Sequence, residues 1–283
     1  MGRSFDKRRI KMKKVIITVL LIAVLVASCL VAFASCNKKE DWEYIQNKGT
    51  LIVGVTDYEP MDYQDASGKW IGFDADVARA VGEKLGVKVE FVEIDWDEKI
   101  VELKSKKIDV IWNGMTVTEE LGKEMDFSYS YAKNSQVIVT KSANLDKYST
   151  AAKVTSENAK IAVEGGSAGE TVAKDTFKNL TVVDVQGQVN ALTEVKMGTS
   201  DIAIVDYTLA ASKCGVGNFA DLAVVPGVEF EEEEFAVGIR KGSKLTEKIN
   251  AALVELYNDG TIETIRQKYD PDAIALLDLS KAK

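Results

Sequence analysis

The stretch VEGGSAGET, residues 163–171, brings an apolar run into two adjacent glycines, and Ser167 then opens a stretch that can be helical. The first N–H groups of a helix have no intrahelical partner, and the helix dipole favours negative charge there. The turn can therefore hold a small anion, or it can be no more than a tight connection. It is not a nucleotide loop. No G-K-[ST] ending supplies a lysine for a terminal phosphate, and no G-x-G-x-x-G opens a helix elsewhere in the chain. Acidic side chains are the second chemical feature. Asp57, Glu59, Asp62 and Glu164 fall near the ends of apolar runs, and Asp206 closes the run DIAIVD. Converging on one cleft, they would suit a ligand with a second cationic or amide group; dispersed, they are solvated rim charges. Asp206 can equally cap the helix that begins at TLAASKC. The chain has no histidine, which removes Ser–His and Cys–His pairs, a histidine base and histidine-containing zinc sites. No cofactor or metal site is expected.

The N-terminus is a separate object. MGRSFDKRRIKMKK is basic, VIITVLLIAVLV is uncharged, and the small-residue stretch ASCLVAFASC follows, which together make an export signal. Cys29 and Cys36 both follow small residues and resemble the lipidation site of bacterial lipoproteins. Cleavage at Cys29 would leave LVAF on the mature chain, whereas the chain turns polar directly after Cys36, so Cys36 is the expected anchor. An uncleaved membrane anchor is the alternative. The expected division is a signal peptide over 1–35 and a linker over 36–40. Removing residues 1–35 takes away seven positive charges and one negative, leaving 29 against 43 and a net charge of −14. That surface disfavours nucleic acid and electrostatic docking on anionic lipid. Cys214 is then the last cysteine without a lipid, and it is expected to be a buried structural thiol.

The elements that must position these groups alternate. LIVGVT, VKVEFVEI and IDVIW read as strands, DADVARAVGEKLG and DEKIVELKSKK as helices, and MDYQDASGKWIG as a hairpin. After QVIVTK the pattern restarts with KIAVEG, LTVVDV and DIAIVD as strands and SAGETVAKDTF, QVNALTEVKMG and TLAASKC as helices. An internal echo links the halves: Glu102, Lys104 and Asp109 recur at the same spacing as Glu194, Lys196 and Asp201. EFAVGIRKG then returns as a strand, followed by two helices, the first with Leu245, Ile249, Leu253 and Leu256 on one face. Glu231–Glu234 is expected to be a solvated edge. The pattern predicts an α/β protein of two similar lobes joined by more than one crossing. Ligands then bind in the cleft at the carboxyl ends of the strands, and the lobes close on a hinge.

The segments DYEPMDYQDASGKWIGFDADVARAVGEKLG, VEIDWDEKIVELKSKKIDVIWNGMTVTEE, MDFSYSY and VEGGSAG resemble the polar amino-acid solute-binding proteins of ABC importers, the bacterial extracellular family 3. The likeness runs from about Asp41 to about Tyr269. It implies a type II periplasmic-binding-protein fold with two crossover strands, one lobe from 41–132 plus 236–283 and the other from 133–235. It also implies a ligand site. Tyr58 and Trp96 match the aromatic pair that sandwiches the side chain. Asn113, Gly114 and Thr116 match a polar loop that offers backbone and hydroxyl groups. Ser167 and Ala168 match the turn that gives N–H groups to the carboxylate, and Asp206 matches the acid that takes the ammonium. The family's carboxylate-binding arginine is missing, because Leu121 stands there. Arg79, Arg240 and Arg266 are expected on a helix face, in the return strand and in the last helix, away from the site. Either Lys133 at the predicted hinge supplies the charge, with Lys133 and Asn134 facing the cleft, or the turn and the 113–116 loop suffice, or the ligand lacks an α-carboxylate.

The implied function is a lipid-anchored, monomeric binding protein on the outer face of the cell membrane, delivering an amino acid or related amine to an ABC permease. Two alternatives share the fold. A dehydratase-like enzyme would need a carboxylic acid such as Glu164 held protonated as a general acid. A sensor domain would signal through a separate membrane partner.

Overall fold

The computed structural model describes residues 41–282. The export segment and Cys36 lie outside the described residues.

The first sheet is built on β1 (Thr50–Val55), flanked in parallel by β4 (Lys88–Glu93) and β5 (Val110–Ile111). Between them in sequence, β2 (Tyr63–Gln64) and β3 (Trp70–Ile71) form the expected hairpin, and Asp65 accepts from the Ser67 and Lys69 N–H groups inside its turn. β6 (Met125–Phe127) completes the sheet, paired antiparallel with the returning strand β13 (Gly238–Arg240), which also pairs with β5. The helix Phe73–Leu85 buries Val77 and Val81, ends on Gly86 in the left-handed conformation, and packs against the helix Leu245–Asn258. That second helix buries Leu245, Ile249, Leu253 and Leu256, the face read from the sequence.

The second sheet runs through β7 (Ala132–Lys141), β8 (Ile161–Glu164), β9 (Val182–Val185), β10 (Ile202–Asp206) and β11 (Leu222–Val224), in the order β11-β7-β10-β8-β9. β8, β9 and β10 are parallel, while β7 is antiparallel to β10 and β11. The apolar faces of Ile161, Val163, Ile202 and Ile204 are fully buried, as continuous apolar runs in a sheet covered on both faces should be.

β7 joins the two lobes. Its first half pairs with β12 (Glu232–Phe235) and β14 (Ala275–Leu276), and its second half belongs to the second sheet. Most of the glutamate run is therefore a strand paired with β7, not a free edge.

The internal echo has a physical counterpart. Asp109 accepts the N–H of Ile52 in β1 at 2.9 Å, and Asp201 accepts the N–H of Lys160, just before β8, at 2.9 Å. Glu102 accepts from Lys107 and Glu194 from Thr199, each five residues on. Each lobe thus opens its sheet with the same helix-to-strand device.

Candidate functional site

The residues that follow β1, β5, β8 and β10 meet in one cavity of about 330 Å³ between the two sheets. Tyr58, Trp96, Asn113, Gly114, Thr116, Glu164, Ser167, Ala168 and Asp206 all line it. The carboxyl ends of the parallel strands of both lobes therefore face one another, as the topology requires.

On the first lobe, Tyr58 is buried and stands edge-on to Phe235 at a centroid distance of 6.5 Å. Gly114 makes room for it. A Cβ there would lie 2.6 Å from Tyr58 Cε1, and the residue has φ +55°. The loop offers fewer free groups than the resemblance implies. The Asn113 carbonyl accepts from the Thr56 N–H and hydroxyl at 2.8 and 2.6 Å, and its amide donates to Asp62 at 2.8 Å. The Gly114 N–H donates to Asp74 at 2.7 Å, and the Thr116 hydroxyl to Glu233 at 3.0 Å. Asn113 thus holds Thr56 and the loop in position. Asp62 and Asp74 are fully buried; burial raises both carboxyls, Asp74 to about 7.

On the second lobe, Asp206 begins the helix Tyr207–Lys213, but its side chain does not cap it. The carboxylate turns inward and accepts from Asn134 and Gln136 at 2.6 Å and from Gln188 at 2.5 Å. Burial, followed by the nearby charge of Glu233, pushes Asp206 up to about 6. Glu164 is 3% exposed, and its Oε1 has no hydrogen-bond partner. Burial, then the charge of Asp206, pushes it up to about 8. Ser167 caps the helix Ala168–Thr176, accepting the Glu170 N–H at 3.1 Å, while Glu170 accepts the Gly166 N–H at 2.7 Å. This reciprocal cap uses a carboxylate of the chain itself.

Sequence reasoning missed several cavity residues, among them Gln188, Glu233 and Lys99. Glu233 lines the wall and accepts from Thr116, Asn134 and Gln136. Lys99 is 4% exposed and lines the same cavity; its ammonium stands 4.9 Å from the Trp96 ring centre.

Other expectations fall elsewhere. Lys133 does not face the cavity: it is half-buried and pairs with Glu232 at 2.7 Å. Successive strand residues point to opposite faces, so Lys133 and its buried neighbour Asn134 cannot both turn inward. Asn134 acts on the site through Asp206. Asp57 lines a separate acidic recess with Glu93 and Asp95. Leu121 stands on the cavity wall. Arg79 binds Asp76 and the Trp70 carbonyl, Arg240 binds Asp41 and Asp109, and Arg266 binds Glu263, all outside the cavity lining. Cys214 is half-buried, and burial pushes its thiol up to about 11.

Two α/β lobes, strands crossing between them and a cavity with buried ionisable side chains between strand ends define a two-lobed solute-binding protein. The chain belongs to the bacterial extracellular solute-binding proteins, family 3, whose profile matches residues 51–271. It is 30% identical over 254 residues to the arginine-binding extracellular protein ArtP of Bacillus subtilis, covering 88% of this chain and 96% of that one. It is similar to the structure of an ABC uptake transporter substrate-binding protein from Streptococcus pneumoniae with bound histidine. There the TM-score is 0.76 and the identity 33%, over 84% of this chain and 99% of the other. It is also similar to the amino acid ABC transporter substrate-binding protein AbpA from Streptococcus pneumoniae bound to L-arginine, with TM-score 0.75 and 28% identity, over 82% and 99%. These relatives are named as binding proteins, and this chain is a solute-binding protein of the same family.

Proposed function

We propose that this chain is the amino-acid-binding component of an ABC importer, and that its solute is a basic amino acid of the arginine or histidine class. The observation that carries this reading is Asp206, buried, ionisable and held by three side-chain amides, with Glu164 and Glu233 in the same wall. A carboxylate so oriented is a ready acceptor for an ammonium, and the pair strengthens as closure expels water. The two further acids suit a second positive group on the side chain. Trp96 and Tyr58 supply the apolar and aromatic walls, and Ser167 and Ala168 begin a helix whose dipole favours the ligand's carboxylate. The relatives whose names specify arginine and histidine support the same class.

The lobes divide at 132/133 and 235/236, and they close around the solute by rotation about β7 and β12. The protein acts as a monomer held to the outer face of the membrane through lipid on Cys36, and it presents its closed form to the permease. A thermal-shift screen against amino acids, amines and modified amino acids tests the reading. Arginine or histidine at a hundred times its Kd should raise the midpoint by about 5 °C or more. No rise with any amino acid overturns it. Replacing Cys36 with serine should release the protein from membranes; retention of Cys36→Ser at the membrane would refute the anchor.

A further inference from the structure

We infer that Lys99 is the carboxylate-binding residue of this site, an assignment that rests on the amino-acid reading above. Among the described residues lining the cavity, Lys99 is the one cation. Its ammonium is buried, and it donates to two backbone carbonyls, Trp96 O at 3.0 Å and Gly166 O at 2.7 Å. Among the described residues no carboxylate pairs with it within 4.0 Å; Glu164, Asp97 and Glu170 act on it from further away. An ammonium out of water and held only by neutral acceptors is costly unless an anion completes its shell. It carries three N–H donors, and two carbonyls leave one for that anion.

The position of this donor matters as much as its charge. Gly166 is the residue before the Ser167 cap, so the ammonium stands at the start of the helix Ala168–Thr176. The Gly166 N–H is already spent on Glu170, so the helix start is partly neutralised by the chain itself. The turn therefore offers less to an anion than its sequence suggests, and Lys99 supplies the missing positive charge. Gly166 is shaped for the contact: a Cβ there would lie 2.9 Å from Asp97 Cα and 3.3 Å from Lys99 Nζ. Across the wall, Leu121 is apolar and gives a carboxylate nothing. Lys99 belongs to the first lobe and Gly166 to the second. A carboxylate held between Lys99 and the Ala168 end of the helix touches both lobes, so its recognition favours the closed arrangement.

The test pairs each of three amino acids, L-arginine, L-histidine and L-glutamine, with its α-carboxamide, which lacks the carboxylate charge. Titration calorimetry on the purified protein and on Lys99→Met reads both members of each pair. The expected result is a loss of about a hundredfold for whichever free amino acid binds, and less than about threefold for its amide. Equal losses for acid and amide would reduce Lys99 to a structural strut and overturn the assignment while leaving the amino-acid reading intact. Wild-type binding to none of the three pairs removes the amino-acid reading, and the assignment with it. Should Lys99→Met fail to fold, the wild-type protein decides. The Lys99 Nζ resonance in a ¹⁵N-lysine sample should shift with the amino acid and stay within its linewidth with the amide; equal shifts would overturn the assignment.

Discussion

Replacing Asp206 with asparagine should separate binding from stability. The side chain is 4% exposed and accepts three hydrogen bonds, so its amide partners hold it in the geometry a ligand would meet. Removing one partner of a desolvated charge pair costs about 2–5 kcal/mol, a loss of about thirtyfold to several thousandfold in affinity. The empty protein should respond in the opposite direction. Burial pushes its Asp206 up to about 6, well above the ordinary carboxylate range. A raised folded-state pKa contributes stability that is complete below the unfolded value and lost as pH rises through the folded one. At pH 7 to 8 the ionised carboxylate therefore weighs against the empty fold by about 3 kcal/mol. Asparagine removes that charge but leaves Gln188 without its acceptor, which offsets about 1 kcal/mol. Asp206→Asn should therefore be up to about 2 kcal/mol more stable when empty, and a poor binder. Urea unfolding and calorimetry with the tightest amino acid read the two quantities on the same preparation. A variant that binds within threefold of wild type, or whose empty form is destabilised by several kcal/mol, would refute the reasoning.

The strand register gives a sharper comparison: Glu233→Gln should weaken binding about tenfold, while Glu232→Gln and Glu234→Gln stay within twofold, by calorimetry. Amino-acid affinity should rise between pH 5 and 8 as the cation draws protons from Asp206 and from Glu164, which burial pushes up to about 8. Binding enthalpies that differ between buffers would register the released protons. Over the same range the empty protein should lose stability, because the Glu164 pKa is also raised in the fold, and Glu164→Gln should flatten that slope in urea titrations. Gly114→Ala should cost about 1–3 kcal/mol of stability, since its Cβ meets Tyr58 and its φ is positive. Leu121→Arg sets a second cation on the cavity wall. It should raise the preference for an amino acid over its amide in the Lys99→Met background, by the same calorimetric pairing.

Much of the site was legible because it sits at strand ends. Strands that end in polar clusters in the sequence deliver Tyr58, Asn113, Glu164 and Asp206 to the cavity. The residues that escaped were hidden by periodicity. A run of four glutamates shows no alternation by itself. Phe235 ends the run and is buried against Tyr58, and a period of two puts Glu233 on its face and Glu232 and Glu234 on the other. The same rule, applied along β7, separates Lys133 from Asn134 and groups Asn134 with Gln136. Lys99 was concealed within DEKIVELKSKK, which reads from the sequence simply as a helix. The chain in fact makes a short 3₁₀ turn over Trp96–Glu98 before the helix Lys99–Lys104 begins. That turn brings Lys99 over Trp96, three residues earlier, so the aromatic already chosen for the site was the available pointer. What no sequence rule supplied was the local saturation of donors: Asn113 and Gly114 look available as residue types, yet Asp62 and Asp74 beneath them take their N–H groups.

The most direct test of a shared cavity that closes on an unmodified amino acid is a crystal structure of the protein with the tightest-binding one. The ammonium should lie within hydrogen-bond distance of Asp206, and the carboxylate between Lys99 and the start of the Ser167-capped helix. Density outside this cavity, or a ligand lying with its carboxylate against Asp206, would contradict it.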